Sequence, residues 1–195
     1  MEKERGEAMQ APSGMSSSDL RFLRCAGLDE PPGKWVATNR ELGGLIRRHG
    51  RGLQPAAAVA AGIRAELEAI FPLIDAVCQR TCPWCPDPCC IVTRVWYDFI
   101  DLLFLHLIEA PLPPGPLAYR LEDPCRYLAS RGCRLPRLIR PWGCTQYTCP
   151  VQYTSLRHFD PAAEKKLDGA LGRVRESRYQ LEAEFQREMA GKTPC

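Results

Sequence analysis

Nine cysteines lie between Cys78 and Cys149, out of eleven in a chain of 195 residues. The first group runs Cys78-x3-Cys82-x2-Cys85-x3-Cys89-Cys90, and the second runs Cys125-x7-Cys133-x10-Cys144-x4-Cys149. A thiolate is a soft metal ligand, and a Cys-x2-Cys knuckle lets two of them reach one ion from a single tight turn. All nine cysteines are therefore candidate metal ligands. The two groups must meet in space for a shared centre to fill, so metal binding would close a long loop and couple to folding. Cys25 and Cys195 stand apart and read as small buried hydrophobes.

The type of metal follows from what surrounds the sulfurs. Structural zinc usually takes two compact pairs of cysteine or histidine. Here only Cys82 and Cys85 make a compact pair, and histidine is nearly absent from the region. Three Cys-Pro steps (Cys82-Pro83, Cys85-Pro86, Cys149-Pro150) are like those in iron–sulfur ligand loops, whose ligands are all thiolates. An iron–sulfur cluster is the preferred cofactor, with zinc the alternative.

The same residues resemble the YkgJ-type cysteine-cluster family, a zinc- or iron-chelating domain. The early part of that pattern is Cys82, Cys85, Cys89 and Cys90. The distal part is Cys125-Arg126-Tyr127-Leu128, then Cys133, Arg140-Pro141, Cys144 and Cys149. The likeness covers residues 78–150. The knuckle-to-pair spacing is one residue longer here, and Pro86-Asp87-Pro88 stands where the family has a glycine. Cys78 is extra, and Thr145 rather than an arginine follows Cys144. The resemblance implies metal binding, with a role in metal handling, structure or electron transfer. A similar cysteine arrangement belongs to an iron–sulfur flagellin lysine methylase, so an iron–sulfur enzyme of redox or methyl transfer is a second reading.

Around the cysteines the chain is ordinary. Apolar residues make up 45% and charged residues 25%, and the net charge is +3. That charge is too small to announce a nucleic-acid partner. Arg131, Arg134, Arg137 and Arg140 recur every three residues, with Arg126 upstream. Guanidinium groups of this strip are expected to offset thiolate charge and donate to sulfur, with Arg126 and Arg140 singled out behind the ligands. A nucleic-acid adaptor built on this strip, with Tyr127, Trp142 and Tyr147 as stacking surfaces, is a third and weaker reading. The first twenty residues hold no apolar run fit for a signal peptide, so a reducing, cytoplasmic setting is expected. Val95 to Ile108 is the most apolar stretch, but it carries Asp98, Asp101 and His106 and falls short of a membrane span of about 20 residues.

The elements that must position the sulfurs read as mainly α: a small helical domain with irregular cysteine loops and a long C-terminal helix. Residues 1–18 read as a disordered tail, 19–160 as the cysteine-cluster domain, and 161–195 as a C-terminal helix packed on it. One or two short helices are expected in 20–55. Residues 56–80 form a helix, since Ile63, Leu67, Ile70, Ile74 and Val77 repeat at four and three. Pro72 should kink it. The Cys-Pro steps then turn 82–90 into an extended loop. Residues 94–109 form a central helix in which His106 is a core histidine and Asp98 with Asp101 a polar edge. Short helical turns are expected over 124–150. His49 and His158 read as surface residues. In the last helix Leu167, Leu171, Val174, Leu181 and Phe185 make one stripe, with Arg178 filling a missing apolar position. That stripe is expected to pack on its own domain, with a heptad-like contact to a protein partner as the alternative.

Overall fold

The computed structural model describes residues 32–86, 88, 91, 95–120, 123–130 and 132–191. The expected N-terminal tail, Cys25, Cys89, Cys90, Arg131 and Cys195 lie outside the described residues.

The fold is mainly α, as its periodicity requires. Helix α1 spans Pro32–His49 and ends on Arg47, Arg48 and His49, three side chains that favour the negative end of the helix dipole. It is one 18-residue helix where one or two short ones were expected. Trp35 anchors it by donating from Nε1 to the Pro113 carbonyl at 3.1 Å and packing against the Tyr97 ring, tilted by 56° at 5.2 Å between centroids.

Helix α2 spans Gln54–Thr81 and continues unbroken across Pro72. Its buried face is Ala56, Ala60, Ile63, Leu67, Ile70 and Val77, which continues the four-and-three repeat. A short 3-10 turn, Cys82–Trp84, prolongs it. Cys82 stays helical at φ −67°, ψ −36° although Pro83 follows. The expected change of direction comes three residues later, at Cys85, with φ −77° and ψ 118°. Proline disfavours a helical predecessor without forbidding it. Here the bond from Cys85 N–H to the Cys82 carbonyl at 3.3 Å holds the turn.

Helix α3 spans Phe99–Leu107, shorter at its start than periodicity suggested. Asp98 sets that start. Its carboxylate accepts the Asp101 N–H at 2.7 Å, and Asp101 returns the bond to the Asp98 N–H at 3.1 Å. Such a reciprocal cap fixes a helix end more firmly than apolar spacing does. Leu102, Leu103, Phe104 and Leu105 are all buried, so the helix is central as expected. His106 is half-buried, and its Nε2 lies 3.1 Å from the Asn39 side-chain amide oxygen. His158 is exposed, while His49 is half-buried beside Glu188 at 3.4 Å.

Between α3 and the next helix lies a small antiparallel hairpin that helical expectations for 124–150 missed. Strands β1 (Leu128–Ala129) and β2 (Gly132–Cys133) pair with Leu128 opposite Cys133. Gly132 has φ +111°, a conformation L side chains rarely adopt, and nothing within 4 Å would block a Cβ there. Conformation alone demands the glycine. Gly132→Ala is expected to lower stability by more than about 1 kcal/mol, read from urea unfolding.

A 3-10 turn (Arg137–Ile139) leads to α4 (Trp142–Gln146), α5 (Pro150–Phe159) and α6 (Pro161–Ala190). Helix α6 begins where Asp160 accepts the Ala163 N–H at 2.9 Å. It runs antiparallel to α2, with Glu188 beside His49 and Arg173 paired to Glu66. Leu167, Leu171, Val174, Leu181 and Phe185 are buried within the chain, Leu181 completely. The C-terminal stripe is thus covered by its own domain. Among the described residues no helix is long and apolar enough to cross a membrane.

Candidate metal centre

Helix α2 delivers Cys78 and Cys82 to the end of a rigid rod, and Cys149 forms the entry to α5. Pro150 at the first position of α5 and Gln152 at the third make that entry a capping box with cysteine in the capping role. The Gln152 N–H donates to the Cys149 sulfur, while the Gln152 side-chain oxygen accepts the Cys149 N–H at 3.1 Å. The remaining end of that carboxamide reaches across to α2. Its Nε2 donates to the Cys78 sulfur at 3.2 Å and the Cys82 sulfur at 3.5 Å. One buried glutamine thus joins three sulfurs from stretches about seventy residues apart.

Arg137 adds charge to this group. Its Nε bonds Asp75, and its guanidinium also faces the Cys78 sulfur. Burial works against that charge, but Asp75 and then Cys78 outweigh it and hold Arg137 above the ordinary arginine range. Cys85 continues the same turn by donating its N–H to the Cys82 carbonyl.

The other three described cysteines have different neighbours. Cys125, Cys133 and Cys144 are half-buried and pack against the hydrophobic core. Burial pushes the Cys125 thiol up, opposed by N–H donors of Tyr127 and Leu128 and reinforced by the nearby Cys133. Tyr97 sits beside this group and donates to the Ile139 carbonyl at 2.7 Å. Burial drives its phenol upward first, and Tyr127, Asp101, Cys144 and Cys133 each add to the shift.

Cys144 is positioned by an ion pair that spacing alone did not reveal. Asp101 is buried rather than part of a polar edge, and its Oδ1 accepts both the Trp142 N–H at 2.9 Å and Arg178 Nη1 at 2.7 Å. The other arm of Arg178 bonds Asp98 at 2.7 Å. Arg178 therefore reaches from α6 to the start of α4, two residues before Cys144. Burial raises Asp101 to about 6 against the pull of Arg178. Its place in the gap of an apolar stripe was the one sequence signal for it.

The arginines expected behind the sulfurs divide. Arg140 bonds the backbone carbonyls of Leu135 at 2.9 Å and Cys133 at 3.4 Å, so it braces the chain that carries a sulfur. Arg126 instead bonds the Tyr119 hydroxyl at 2.7 Å and stacks on its ring. Arg134 bonds the Arg126 carbonyl. Arg137, named in the strip but not singled out there, stands beside a sulfur, and Gln152 was flagged by nothing but its place three residues after Cys149.

As they stand, no three cysteine, histidine, aspartate or glutamate side chains among the described residues are grouped tightly enough to hold a metal ion. The surroundings of the sulfurs nevertheless fit such an ion chemically. Cys78, Cys82 and Cys149 each accept N–H donors, and such bonds stabilise a sulfur in its anionic, ligating form. No family model matches the chain, and neither does any curated protein or solved structure.

Proposed function

We propose that the chain is a thiolate metal-binding protein of the YkgJ type, with an iron–sulfur cluster preferred over zinc. Cys78, Cys82, Cys85 and Cys149 are the residues that would hold the metal beside Gln152 and Arg137. The observation that carries this reading is Gln152, whose one side chain donates to sulfurs of the first cysteine group while its backbone holds a sulfur of the second. The oxygen of that carboxamide caps α5, and its nitrogen remains to donate to the sulfurs of α2. A bound ion would supply the positive charge that several thiolates brought together require. Gln152 then orients them, and Arg137 offsets the remaining negative charge. The bound metal supplies either a structural staple or, as a cluster, a site for one electron.

Anaerobic purification with metal analysis and an optical spectrum tests the reading. Broad visible absorption with iron and sulfide supports the cluster, and a colourless protein holding zinc supports the alternative. Protein isolated without either metal, and unable to take one up under reducing conditions, overturns the proposal. Gln152→Leu keeps the side-chain bulk but removes the donor. It is expected to weaken metal binding by about 10–100-fold in competition with a chelator. Unchanged affinity would show that the carboxamide does not serve the metal.

A further inference from the structure

Cys82 and Cys85 are brought together by the main chain itself. They flank Pro83 and Trp84 in the 3-10 turn that prolongs α2, and the Cys85 N–H closes that turn on the Cys82 carbonyl at 3.3 Å. The residues at the two ends of such a turn have Cα atoms within about 7 Å of each other. A disulfide spans Cα atoms about 4.4–6.8 Å apart, so this pair is placed for bridging by its backbone. Cys85 has already left helical geometry, so closing the pair unwinds no turn of α2. Pro83 fixes its own φ and needs no hydrogen-bond acceptor, which keeps the turn formed in either redox state. The turn is also open to a reagent. Trp84 at its tip is 83% exposed, and both cysteines are half-buried rather than sealed in the core.

We propose that Cys82 and Cys85 are a redox-active dithiol that closes to a disulfide by exchange with a low-molecular-weight disulfide such as oxidised glutathione, and that this oxidation releases the bound metal. One sulfur of the pair, as thiolate, attacks a glutathione sulfur. The glutathione S–S bond breaks, a mixed disulfide forms, and the first glutathione leaves and takes up the proton. The second protein sulfur attacks the mixed disulfide and expels the second glutathione with the other proton. Two protein thiols are oxidised by two electrons, and one glutathione disulfide is reduced to two thiols. The dithiol stands on the turn alone. The release rests on the metal-binding reading above, because the disulfide withdraws two of the four sulfurs assigned to the metal.

The full chain, reduced and stripped of metal, is equilibrated with glutathione buffers from fully reduced to fully oxidised, alkylated, and digested with trypsin and chymotrypsin. Cleavage after Arg80 and Trp84 puts Cys78, Cys82 and Cys85 on three different peptides, which mass spectrometry resolves. The variant C89S/C90S leaves Cys85 the sole cysteine of its peptide. The Cys82 and Cys85 peptides are expected to become linked, rising from absent to the major form across the series, in wild type and in C89S/C90S. The link is expected to be lost in C85S. No link at any ratio, or one that joins other cysteines instead, overturns the dithiol and leaves the metal-binding function standing. Should a variant fail to fold, the wild-type link decides alone. In parallel, zinc-loaded chain treated with oxidised glutathione is expected to lose its zinc to a colorimetric chelator in step with the link. Zinc retained by fully linked protein overturns the release. A chain that takes up no zinc and no iron–sulfur cluster overturns the metal-binding function, while the link in the metal-free chain still decides the dithiol.

Discussion

Replacing Arg178 by leucine is expected to cost about 3–5 kcal/mol of unfolding free energy at pH 8, the range found when one partner of a buried ion pair is removed. Arg178 is 6% exposed and forks between Asp98 and Asp101, and it also lies over the Trp142 ring at 5.5 Å. Asp98 is half open to water and can be rehydrated, but Asp101 is buried. Without Arg178 its charge has lost its strongest counterweight. The loss should depend on pH in a definite direction. Asp101 titrates at about 6 in the fold against an ordinary value of 3.8, so the native state binds this proton more tightly than the unfolded chain. Such a group favours the fold in acid, and the contribution is lost as pH rises through the window from about 4 to 6. Removing Arg178 leaves only the Trp142 and Asp98 N–H bonds to oppose burial and moves the upper edge of that window higher. At pH 5 the variant's Asp101 carries its proton and the penalty shrinks. Urea unfolding at pH 8 and pH 5 checks this, with the gap to wild type expected to be clearly smaller at pH 5. An equal gap at both would mean that lost packing of the arginine stem, and not its charge, is responsible. Because Asp101 also holds the first N–H of α4, the variant should loosen Cys144 before it loosens Cys78.

If the chain binds metal as proposed, stripping that metal is expected to lower the melting temperature by about 10 °C. A ligand present at a thousandfold its dissociation constant contributes about 4 kcal/mol, and a chain of this size shifts by a few degrees per kcal/mol. The loss should be local before it is global. The α2–α6 interface buries Ile63, Leu67 and Ile70 on one side and Leu171, Val174 and Leu181 on the other, and needs no metal to hold. The turns carrying sulfur are short: three residues of 3-10 helix at Cys82–Trp84, a hairpin of two-residue strands, and a five-residue helix around Cys144. Elements so small have little burial of their own and stay formed through what they are tied to. Hydrogen exchange with and without a chelator tests the division. Amides of 125–133 and 142–152 should lose protection while those of 60–70 and 170–185 keep it. Chelation that changes neither the melting point nor the exchange pattern would remove the metal from the folding account.

Much of this architecture was legible from residue spacing. The repeat of Ile63, Leu67, Ile70, Ile74 and Val77 and the stripe from Leu167 to Phe185 each predict one helix with one buried face, and all of these are buried except Ile74, which is half-buried against the core. Long elements are legible because many residues vote for the same period. Short ones escaped. The start of α3 was set by two aspartates capping each other, and the hairpin by one glycine at positive φ, where a few local bonds outweigh periodicity. The cysteines were plain in the sequence as chemistry, but their grouping was not. Spacing along the chain says nothing of which sulfur faces Gln152 and which faces the core.

By itself, then, the order of residues determined the helices, the helical buried faces and the kind of atom available for chemistry, because each of these is read within a few neighbouring positions. Only the tertiary structure decided that Gln152 joins Cys78, Cys82 and Cys149, that Arg137 rather than Arg126 stands beside a sulfur, and that Arg178 reaches Asp101 to support Cys144. Those are contacts between segments about 60 to 80 residues apart. They exist because α2 and α6 pack antiparallel through their apolar stripes, and that packing carries the polar side chains at their ends and gaps to partners that no local pattern names.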